Sequence, residues 1–576
     1  VTPAIDPVLH RQPPSGVLWV GSMQSTRVMP LFALCCLAAL AIASGEPAEL
    51  STPCESSESE SCTSLKAYSA LQTRSIHGVQ DGQVEGETEE QHEEVSGEED
   101  EDQEGEDVAD QDQEAEIAEE DEGVKDEDSR QDLELLGGRV EVHNGAKMYV
   151  HPDSEVAENG TGVWIITVPE GCTDKDVQQM AHRIPEGSVP LFEGHPDEGG
   201  LCVFMMRGTI ENVQAELDTH DWASLPLIAT DTKRGIIPEL PPHMHEEYMA
   251  EHNGSELLEL GAGASVPWGL DRIDSRSGMD GSYDLPADYK DGEGVHVYVM
   301  DTGVRTTHQE FEGRAIPTLE TLGSIRECNG DHTCAQDLHG HGTHCAGVIG
   351  GATYGVAKKA IIHSVKVVGG EGWGYASWMV MAIDWIGQHR QDPAIMSMSL
   401  GSYGNNVVEK LALDGAVNSG ITVVVAAGNE GDDACHYTPS FVPNAITVGA
   451  TNRWDEVAWY SNFGGCVDIF APGTDVKTTG HSSDSQALEQ TGTSMACPHV
   501  SGVAALMLAQ DPSRTPIDVL DTMIHLATPD ALSEIWSGTA NLLLYAGQAA
   551  QPPTPAPTAA PTPAPTPAPT PAPTPA

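Results

Sequence analysis

Short apolar runs alternate with longer helical patterns along the C-terminal half of the chain. Runs rich in β-branched residues and bounded by Gly, Asp or Asn predict strands at 294–300, 360–368, 394–400, 421–427 and 445–450. Apolar residues at helical spacing predict helices at 376–390, 406–419 and 494–509. The alternation predicts an α/β fold with a mostly parallel sheet covered by helices on both faces. Functional sites in such folds lie at the carboxyl ends of the strands.

A weaker pattern of the same kind precedes this region. It predicts strands at 162–169 and 201–207 and helices at 173–184 and 212–222, which together suggest a small α/β sandwich. We therefore assign residues 160–237 to a small domain, 238–260 to a linker and 261–549 to a larger domain.

The segment 44–135 has no such pattern and is predicted to be disordered. Between residues 81 and 130 it carries 26 acidic residues against two basic ones, and it cannot bury enough apolar surface to offset its ordering entropy. The whole chain has a formal net charge of −62. Such a charge argues against nucleic acid or an anionic membrane as a partner, whereas it favours cations such as calcium.

Both ends of the chain are predicted to lie outside the folded domains. Residues 23–43 have the layout of a secretory signal peptide, with Arg27, an apolar run and a small-x-small pattern, so residues 1–22 are expected to be an upstream extension. The alternative is a buried apolar helix. The run is too short to span a bilayer, and no later segment predicts a membrane anchor for the mature chain. Residues 550–576 repeat Pro and Thr and predict an extended spacer.

Export predicts an oxidising compartment in which cysteines pair. Of the 12 cysteines, two belong to the signal segment. We expect two disulfides between cysteines that lie in neighbouring loops, Cys328 with Cys334 and Cys435 with Cys466. Pairs between Cys54 and Cys62 and between Cys172 and Cys202 stay open, and Cys345 and Cys497 are left over.

Four polar side chains stand at the ends of predicted elements. Asp301 follows the strand HVYVM, His341 lies in HGHGTHCAGVIG where a helix begins, and Ser494 opens the helix of GTSMACPHVSG. Asn429 ends the strand of VVVAAGNEG and supplies an amide donor at the same edge. Together they form a nucleophile, a base, an orienting carboxylate and an oxyanion donor.

Each of these motifs alone has a simpler explanation. A strand-terminal Asp is usually a turn residue, Gly-Thr-Ser is usually a helix cap, and Asn-Glu-Gly is usually a turn. A metal site near His341 is a further alternative, because His339, His344 and Cys345 lie close by in the sequence. These residues lack the separated pairs that a zinc site uses, and the conjunction of four motifs favours catalysis.

The segments VYVMDTGV, HGHGTHCAG, SMSLGS, VVVAAGNEG and GTSMACPHVSG resemble the subtilisin-like serine proteases, and in particular the proteinase K subfamily. The resemblance covers residues 267–545. It implies a secreted endopeptidase in which Ser494 attacks the substrate carbonyl and His341 takes its proton. Asp301 would hold the imidazolium, while Asn429 and the Ser494 N–H would bind the oxyanion. Polypeptides are the implied substrates.

The same resemblance implies a cleft that binds substrate as an added strand. The strand-pairing segments would be Gly372, Trp373, Gly374, Ser399, Leu400 and Gly401, and the primary pocket would be formed by Ala426, Ala427, Gly428 and Tyr437. None of the pocket residues is charged, so we expect apolar or aromatic preference before the cut. Trp373 departs from the family, in which a smaller residue is common.

A structural Ca²⁺ ion is the cofactor that the resemblance implies. Asp468 in VDIFAPGT matches a calcium-binding aspartate, and the carbonyls of Pro443 and Ala445 match its partners. A hard cation takes such oxygen ligands. The alternative is that Asp468 only caps a turn.

Residues 160–237 resemble the inhibitor-type propeptide of this family, so we expect the chain to be its own intramolecular inhibitor before processing. Spacing suggests a mature start near Gly261, with Lys233-Arg234 as a competing processing site. The glycosylation sequons at Asn159 and Asn253 would both leave with the propeptide. We expect a monomer.

A second class of function is a catalytically silent, subtilisin-shaped binding protein. The presence of nucleophile, base, orienting carboxylate and oxyanion donor together argues against it. A structural wall or matrix protein would account for the acidic tract and the Pro-Thr tail but not for the four motifs.

Overall fold

A computed structural model of the 576-residue chain describes residues 138–167, 172–219, 225–238, 240 and 266–547. The predicted signal, acidic and Pro-Thr segments lie outside the described residues, as do Asn253 and Gly261.

The first folded region is built on a six-stranded sheet. The strands of this sheet are β1 (Arg139–His143), β2 (Ala146–Val150), β3 (Thr161–Thr167), β4 (Val189–Glu193), β5 (Val203–Thr209) and β6 (Leu227–Thr230). A seventh strand, β7 (Lys233–Ile236), follows the sheet in the sequence. The helices of this region are α1 (Glu155–Asn159), α2 (Asp174–His182) and α3 (Ile210–Thr219). The sheet order is β1, β2, β6, β3, β5, β4, with only β2 and β6 parallel. This N-terminal domain starts before residue 160, because β1 and β2 belong to the same sheet.

The N-terminal sheet has two apolar faces because side chains alternate along each strand. Trp164 and Phe204 face the domain's own core with α2 and α3. Ile165 and Met205 face the other way and join the core of the next domain. The N-terminal domain is therefore packed directly onto the larger one.

The larger domain contains the remaining strands and helices. Its strands are β8 (His296–Asp301), β9 (Ala315–Glu320), β10 (Arg326–Glu327), β11 (Ile361–Lys366), β12 (Trp373–Tyr375), β13 (Ala394–Met398), β14 (Leu400–Tyr403), β15 (Thr422–Ala426), β16 (Tyr437–Thr438), β17 (Ile446–Thr451), β18 (Ile469–Pro472), β19 (Val476–Thr479), β20 (Ala487–Gln490), β21 (Thr528–Pro529) and β22 (Leu542–Leu543). Its helices are α4 (Trp268–Ile273), α5 (His341–Gly350), α6 (Ala376–His389), α7 (Val407–Asn418), α8 (Thr493–Gln510) and α9 (Pro516–Leu526).

Ten of these strands form one sheet in the order β10, β9, β11, β8, β13, β15, β17, β18, β22, β21. All neighbours are parallel except the two outermost pairs. Val297 and Val299 of β8 face a core with α5 and α8, whereas Tyr298 and Met300 face a core with α6 and α7. The predicted α/β architecture, a mostly parallel sheet with helices on both faces, is confirmed.

A separate four-stranded sheet joins the two domains. Its order is β12, β7, β14, β16, so the strand that follows the N-terminal domain lies between two strands of the larger one. Residues of β7 thereby occupy the segment pair that the sequence predicts to bind substrate.

The described residues contain three disulfides. Cys328–Cys334 and Cys435–Cys466 pair as expected from the sequence, and Cys172–Cys202 closes a loop of the N-terminal domain. Cys345 and Cys497 are free and buried. Within the described ranges, no helix combines the length and the apolar character that crossing a bilayer requires.

Candidate active site

Asp301 and His341 form a buried, hydrogen-bonded pair. Asp301 is the last residue of β8 and His341 the first of α5. Both carboxylate oxygens lie 2.9 Å from His341 Nδ1, and the two side chains are 1% and 0% exposed. A carboxylate in this position fixes the orientation of the imidazole ring and favours its protonated form.

The start of α5 is held by a residue that the sequence analysis did not single out. Asp337 accepts hydrogen bonds from the backbone N–H groups of Gly340 and Thr343 at 2.7 and 3.0 Å, and from the hydroxyls of Thr302 and Thr343. Burial acts to raise the Asp337 pKa, but these donors outweigh it and the pKa is lowered. Asp337 therefore stays ionised and fixes the helix end that carries His341. An Asp four residues before a predicted helix start is the signal that could have found it.

The backbone just before His341 also needs glycine. Gly340 has a φ of +119°, and a Cβ there would lie 2.4 Å from Nδ1 of His481. This glycine allows the chain to turn into α5 beside a neighbouring side chain.

The His341 pKa is set by two opposing effects. Burial disfavours the charged imidazolium and is the largest single influence, but the adjacent Asp301 carboxylate outweighs it. The pKa of His341 is raised above its ordinary value. A base with a raised pKa accepts a proton readily, and it is neutral and able to act as a base only at higher pH.

Ser494 lies in the first turn of α8, which begins at Thr493. Its hydroxyl donates to the carbonyl oxygen of Ile237 at 3.3 Å. His341 Nε2 is buried and has no hydrogen-bond partner among the described residues. The helices that carry the two residues meet through the Cys345 thiol, which contacts the Ser494 carbonyl at 3.4 Å. The serine hydroxyl is turned toward Ile237, which directly follows β7, rather than toward the histidine.

Asn429 is oriented by the residue before the serine. Its Oδ1 accepts hydrogen bonds from the backbone N–H and the hydroxyl of Thr493, both at 2.9 Å. Its Nδ2 donates to the carbonyl oxygen of Pro238 at 2.8 Å. The amide group therefore points into the cleft as a hydrogen-bond donor, which is the requirement for stabilising an oxyanion.

Strand β7, which we call the inserted strand, runs through the predicted cleft antiparallel to β12 and β14. Gly235 pairs with Trp373 on one side and with Gly401 on the other, and Leu400 pairs with Ile236. Main-chain bonds continue at each end of this pairing. They join Ile236 N to Gly372 O at 3.1 Å, Ile237 N to Ser399 O at 3.4 Å and Leu240 N to Thr491 O at 3.2 Å.

The Trp373 ring lies over this strand. The indole is 52% exposed, and Lys233 Nζ lies 4.4 Å from the centroid of the ring. A Cβ at Gly235 would come within 2.8 Å of the indole. Trp373 therefore covers one edge of the occupied cleft.

Two acidic residues that the sequence analysis omitted lie next to the predicted pocket walls. Ala426 and Ala427 are buried, and a Cβ at Gly428 would lie 2.6 Å from Oε2 of Glu430. The Tyr437 hydroxyl donates to Asp432 at 3.3 Å. Burial, together with the Glu430 and Asp432 carboxylates, raises the Tyr437 pKa. The walls themselves are uncharged, but a carboxylate lies directly behind Gly428.

The two free cysteines lie beneath the site. The Cys345 thiol donates to the Ser494 carbonyl at 3.4 Å, and the Cys497 thiol points at the carbonyl of Val424 at 3.6 Å. Burial raises the pKa of Cys345 and raises the pKa of Cys497 to about 12, so both are neutral thiols at pH 7. Such thiols behave as small buried side chains.

One group of potential metal ligands is found among the described residues, and a second set is expected from the sequence. Ligand atoms of Asp301, His341 and Cys345 lie within 4.8 Å of one another. The carboxylate and the imidazole already bond to each other, which accounts for their proximity. At the calcium position expected from the sequence, Asp468 is half-buried and its Oδ2 accepts from Thr447 N at 2.9 Å. Asp468 and the carbonyls of Pro443 and Ala445 offer only oxygen donors, a set that fits Ca²⁺ in kind.

Comparisons with known proteins agree with this geometry. The model of the Peptidase_S8 subtilase family matches residues 292–548. An extracellular serine proteinase of Thermus sp. (strain Rt41A) is 44% identical over 291 residues, which cover 50% of this chain and 68% of that protein. Subtilisin-like protease 2 of Pseudogymnoascus destructans is 40% identical over 391 residues, which cover 67% of this chain and 90% of that protein.

Among solved structures, a cold adapted subtilisin-like serine proteinase is 39% identical. The match covers 49% of this chain and 98% of that one, with a TM-score of 0.46. On the strength of the two sequence relatives, the chain belongs to the subtilase family. It is a serine-type peptidase, as the four motifs predict.

Proposed function

We propose that the protein is a secreted endopeptidase of the proteinase K type, made as a precursor whose N-terminal domain occupies its own substrate cleft. The observation that carries this proposal is the insertion of β7 between β12 and β14, with the Ile237 carbonyl against the Ser494 hydroxyl. A strand added between two enzyme segments is how such a cleft would bind a polypeptide substrate.

In the proposed mechanism Ser494 attacks the carbonyl carbon of the bond to be cut, and His341 takes the hydroxyl proton. Asp301 stabilises the imidazolium, and the Asn429 amide with the Ser494 N–H binds the oxyanion. His341 then returns the proton to the leaving amine, and a water molecule, activated by the same histidine, releases the acyl group. The short contacts of His341 with Asp301 and the fixed orientation of Asn429 support these roles.

The inserted strand has features of an inhibitor as well as of a substrate. The Ser494 hydroxyl contacts the carbonyl of Ile237, whereas the Asn429 amide contacts the next carbonyl, that of Pro238. Acyl transfer needs both groups on one carbonyl. Residues 233–238 would therefore block the cleft without being cut while the Asn429 amide contacts the Pro238 carbonyl instead of the Ile237 carbonyl, and processing would take place elsewhere, near Gly261 as expected from the sequence.

The competing processing site at Lys233-Arg234 is disfavoured by its surroundings. Arg234 lies in β7 and is only 1% exposed. The sequon at Asn159, by contrast, lies at the exposed end of α1 and would be open to glycosylation. We expect apolar preference in the primary pocket, where Ile237 is the buried residue nearest the serine.

Calcium would have a structural role. Asp468 and the carbonyls of Pro443 and Ala445 would hold it beside the starts of β17 and β18, where it would neutralise the Asp468 carboxylate. Removal with a chelator should lower the melting temperature of the mature enzyme, and magnesium should not restore it. An unchanged melting temperature would count against the site.

The proposal is tested by Ser494→Ala in the full chain. We expect hydrolysis of a denatured protein to fall by about 10⁴- to 10⁶-fold while secretion and folding persist. Ser501→Ala, which removes a hydroxyl from the same helix, should leave activity nearly unchanged. Retained activity in Ser494→Ala would overturn the mechanism. A wild-type chain that hydrolyses nothing after its N-terminal domain is removed would instead favour the silent binding protein.

A further inference from the structure

Arg234 is the one cationic side chain that the inserted strand buries in the larger domain. It is the fourth residue counted back from Ile237, whose carbonyl the Ser494 hydroxyl contacts. Its neighbour Lys233 is exposed, but the Arg234 side chain is only 2% exposed. An arginine is rarely buried without a specific partner, so the pocket that receives it must supply one.

The partner is a carboxylate of the larger domain. Arg234 Nε lies 2.7 Å from Oε1 of Glu409, and Nη1 donates to the Ser402 hydroxyl at 2.7 Å. The Glu409 side chain is 3% exposed in this state. We call the site formed by Glu409 and Ser402 the fourth-residue pocket, because a substrate in the same register would place its fourth residue before the cut there.

Glu409 is held in place independently of the arginine. It lies in the first turn of α7, where the Asn406 side chain caps the helix by accepting from the N–H groups of Val408 and Glu409, both at 3.0 Å. Ser402 belongs to β14, which also pairs with the inserted strand. The two polar groups are therefore part of the cleft, and remain there when the N-terminal domain leaves.

A buried carboxylate discriminates between side chains. An arginine forms a charge-assisted hydrogen bond with the Glu409 carboxylate and supplies a second donor to Ser402. An apolar side chain would leave the Glu409 carboxylate buried without a cation. Burial raises the Glu409 pKa and the Arg234 guanidinium opposes that effect. Lysine, a point charge without a planar fork, would satisfy only part of the site.

We propose that Glu409 makes the fourth-residue pocket selective for arginine, so that this peptidase cleaves polypeptides preferentially three residues after an arginine. The proposal rests on the proposed function and deepens it by naming a specificity-determining residue. The other strand contacts are main-chain pairs, apart from the exposed Lys233 over the Trp373 ring. This pocket is where a buried charge of the inserted strand meets a buried carboxylate.

The test uses the mature enzyme and a series of fluorogenic peptides identical except for arginine, lysine, norleucine or glutamate at the fourth position before the cut. At pH 8 we expect kcat/KM for arginine to exceed that for norleucine by about 10- to 100-fold, with lysine between them and glutamate lowest. Moving the arginine to the third or fifth position should remove the advantage. A maximum at another position would overturn the assigned register.

Glu409→Gln should lose most of the arginine preference while still cleaving the norleucine peptide. Glu371→Gln is the matched control, because it removes an exposed charge next to the β12 edge of the cleft without touching the pocket. If both variants lose the preference equally, diffuse attraction by the acidic protein accounts for it and the assignment to Glu409 is wrong.

Glu409→Gln can fail to mature, because Arg234 of the precursor would then lack its partner. The double variant Arg234→Met with Glu409→Met replaces the pair by apolar side chains of similar length and keeps the contact filled. Its mature form should prefer norleucine over arginine. Wild-type enzyme that cleaves these peptides without any arginine preference would overturn the pocket proposal alone, whereas enzyme that cleaves none of them would overturn the proposed function itself.

Discussion

The two sheets of the molecule are covered in different ways. The ten-stranded sheet has helices of its own domain on both faces, α5 and α8 on one and α6 and α7 on the other. The six-stranded sheet has α2 and α3 on one face only, and its second face packs against α6 and α7 of the larger domain. The larger domain is therefore complete by itself, and the N-terminal domain is completed by the larger one.

The polar contacts between the domains follow the same division. Asp231 and Thr232 meet the first turn of α6, and Asp384 of α6 accepts from the backbone N–H groups of His195 and Leu201 at 3.0 and 2.6 Å. On the proposed processing, such contacts would be given up with the N-terminal domain, whereas those inside the larger domain would persist. Substituting one contact of each kind shows whether the larger domain is as independent of the N-terminal domain as the packing predicts.

The largest difference is expected between two buried arginines. Arg272 pairs with Asp455 inside the larger domain through two bonds of 2.6 and 3.0 Å, and Arg234 pairs with Glu409 between the domains. In unprocessed chains that also carry Ser494→Ala, Arg234→Met should reduce hydrogen-exchange protection of the β7 amides by about 100-fold, because it leaves Glu409 buried without a cation.

Arg272→Met should instead lower the melting temperature of the mature enzyme and leave the exchange of β7 little changed. Asp455 is 26% exposed, so solvent reduces the loss in this case. Equal loss of β7 protection in both variants would mean that the two domains behave as one unit, contrary to the comparison.

A second effect, of similar size, is expected from pH. The Asp231 carboxylate accepts from the Ser377 N–H and hydroxyl at 2.9 and 2.6 Å, and burial raises its pKa to about 6. Because the docked pKa lies above the free value of about 3.8, docking favours the protonated form. The contribution is fully present below about pH 4 and is lost as pH rises through 6.

From this group alone, N-terminal domain affinity should weaken by about 100-fold between pH 4 and pH 7. Burial also raises the pKa of Asp384, which acts in the same direction. Asp231→Asn should flatten the pH dependence in part. Inhibition of the mature enzyme by added N-terminal domain, measured across this pH range, checks the sign; stronger inhibition at pH 7 would contradict it.

The smallest effect is expected at the edge of the cleft. Lys233→Ala removes the cation over the exposed Trp373 ring, a contact whose loss should weaken the same inhibition by about fivefold or less. Lys175→Ala, an exposed lysine of α2, serves as the control and should have no effect. If Lys233→Ala weakened the inhibition as much as Arg234→Met in the same assay, the charge of the strand rather than the fourth-residue pocket would dominate binding of the N-terminal domain.

The sequence predicted those site residues whose positions depend only on the strand or helix that they end or begin. Asp301, His341 and Ser494 stand at element ends because β-branched runs and helix starts place them there, and the parallel sheet then gathers those ends at one edge. Asn429 follows the same logic. Strands β1 and β2 were not predicted, because each has only five residues and so short a run gives too few periods to distinguish a strand from chance alternation.

Contacts between residues far apart in the sequence could not be predicted from local sequence patterns. Arg234 and Glu409 are 175 residues apart, and a Lys-Arg pair reads in sequence as an exposed processing site rather than as a buried strand. The insertion of β7 depends on main-chain hydrogen bonds, which leave no side-chain pattern. Glu430 was passed over because its position behind Gly428 depends on the turn after β15.

The ion pair between Arg234 and Glu409 has a consequence for the position of the inserted strand. A slide of the strand by one residue, about 3.4 Å, would bring a different peptide bond to the Ser494 hydroxyl in place of the Ile237 carbonyl. Such a slide would also turn every side chain to the opposite face and pull Arg234 away from Glu409. The Arg234–Glu409 ion pair therefore opposes a shift of the inserted strand to another register in the cleft.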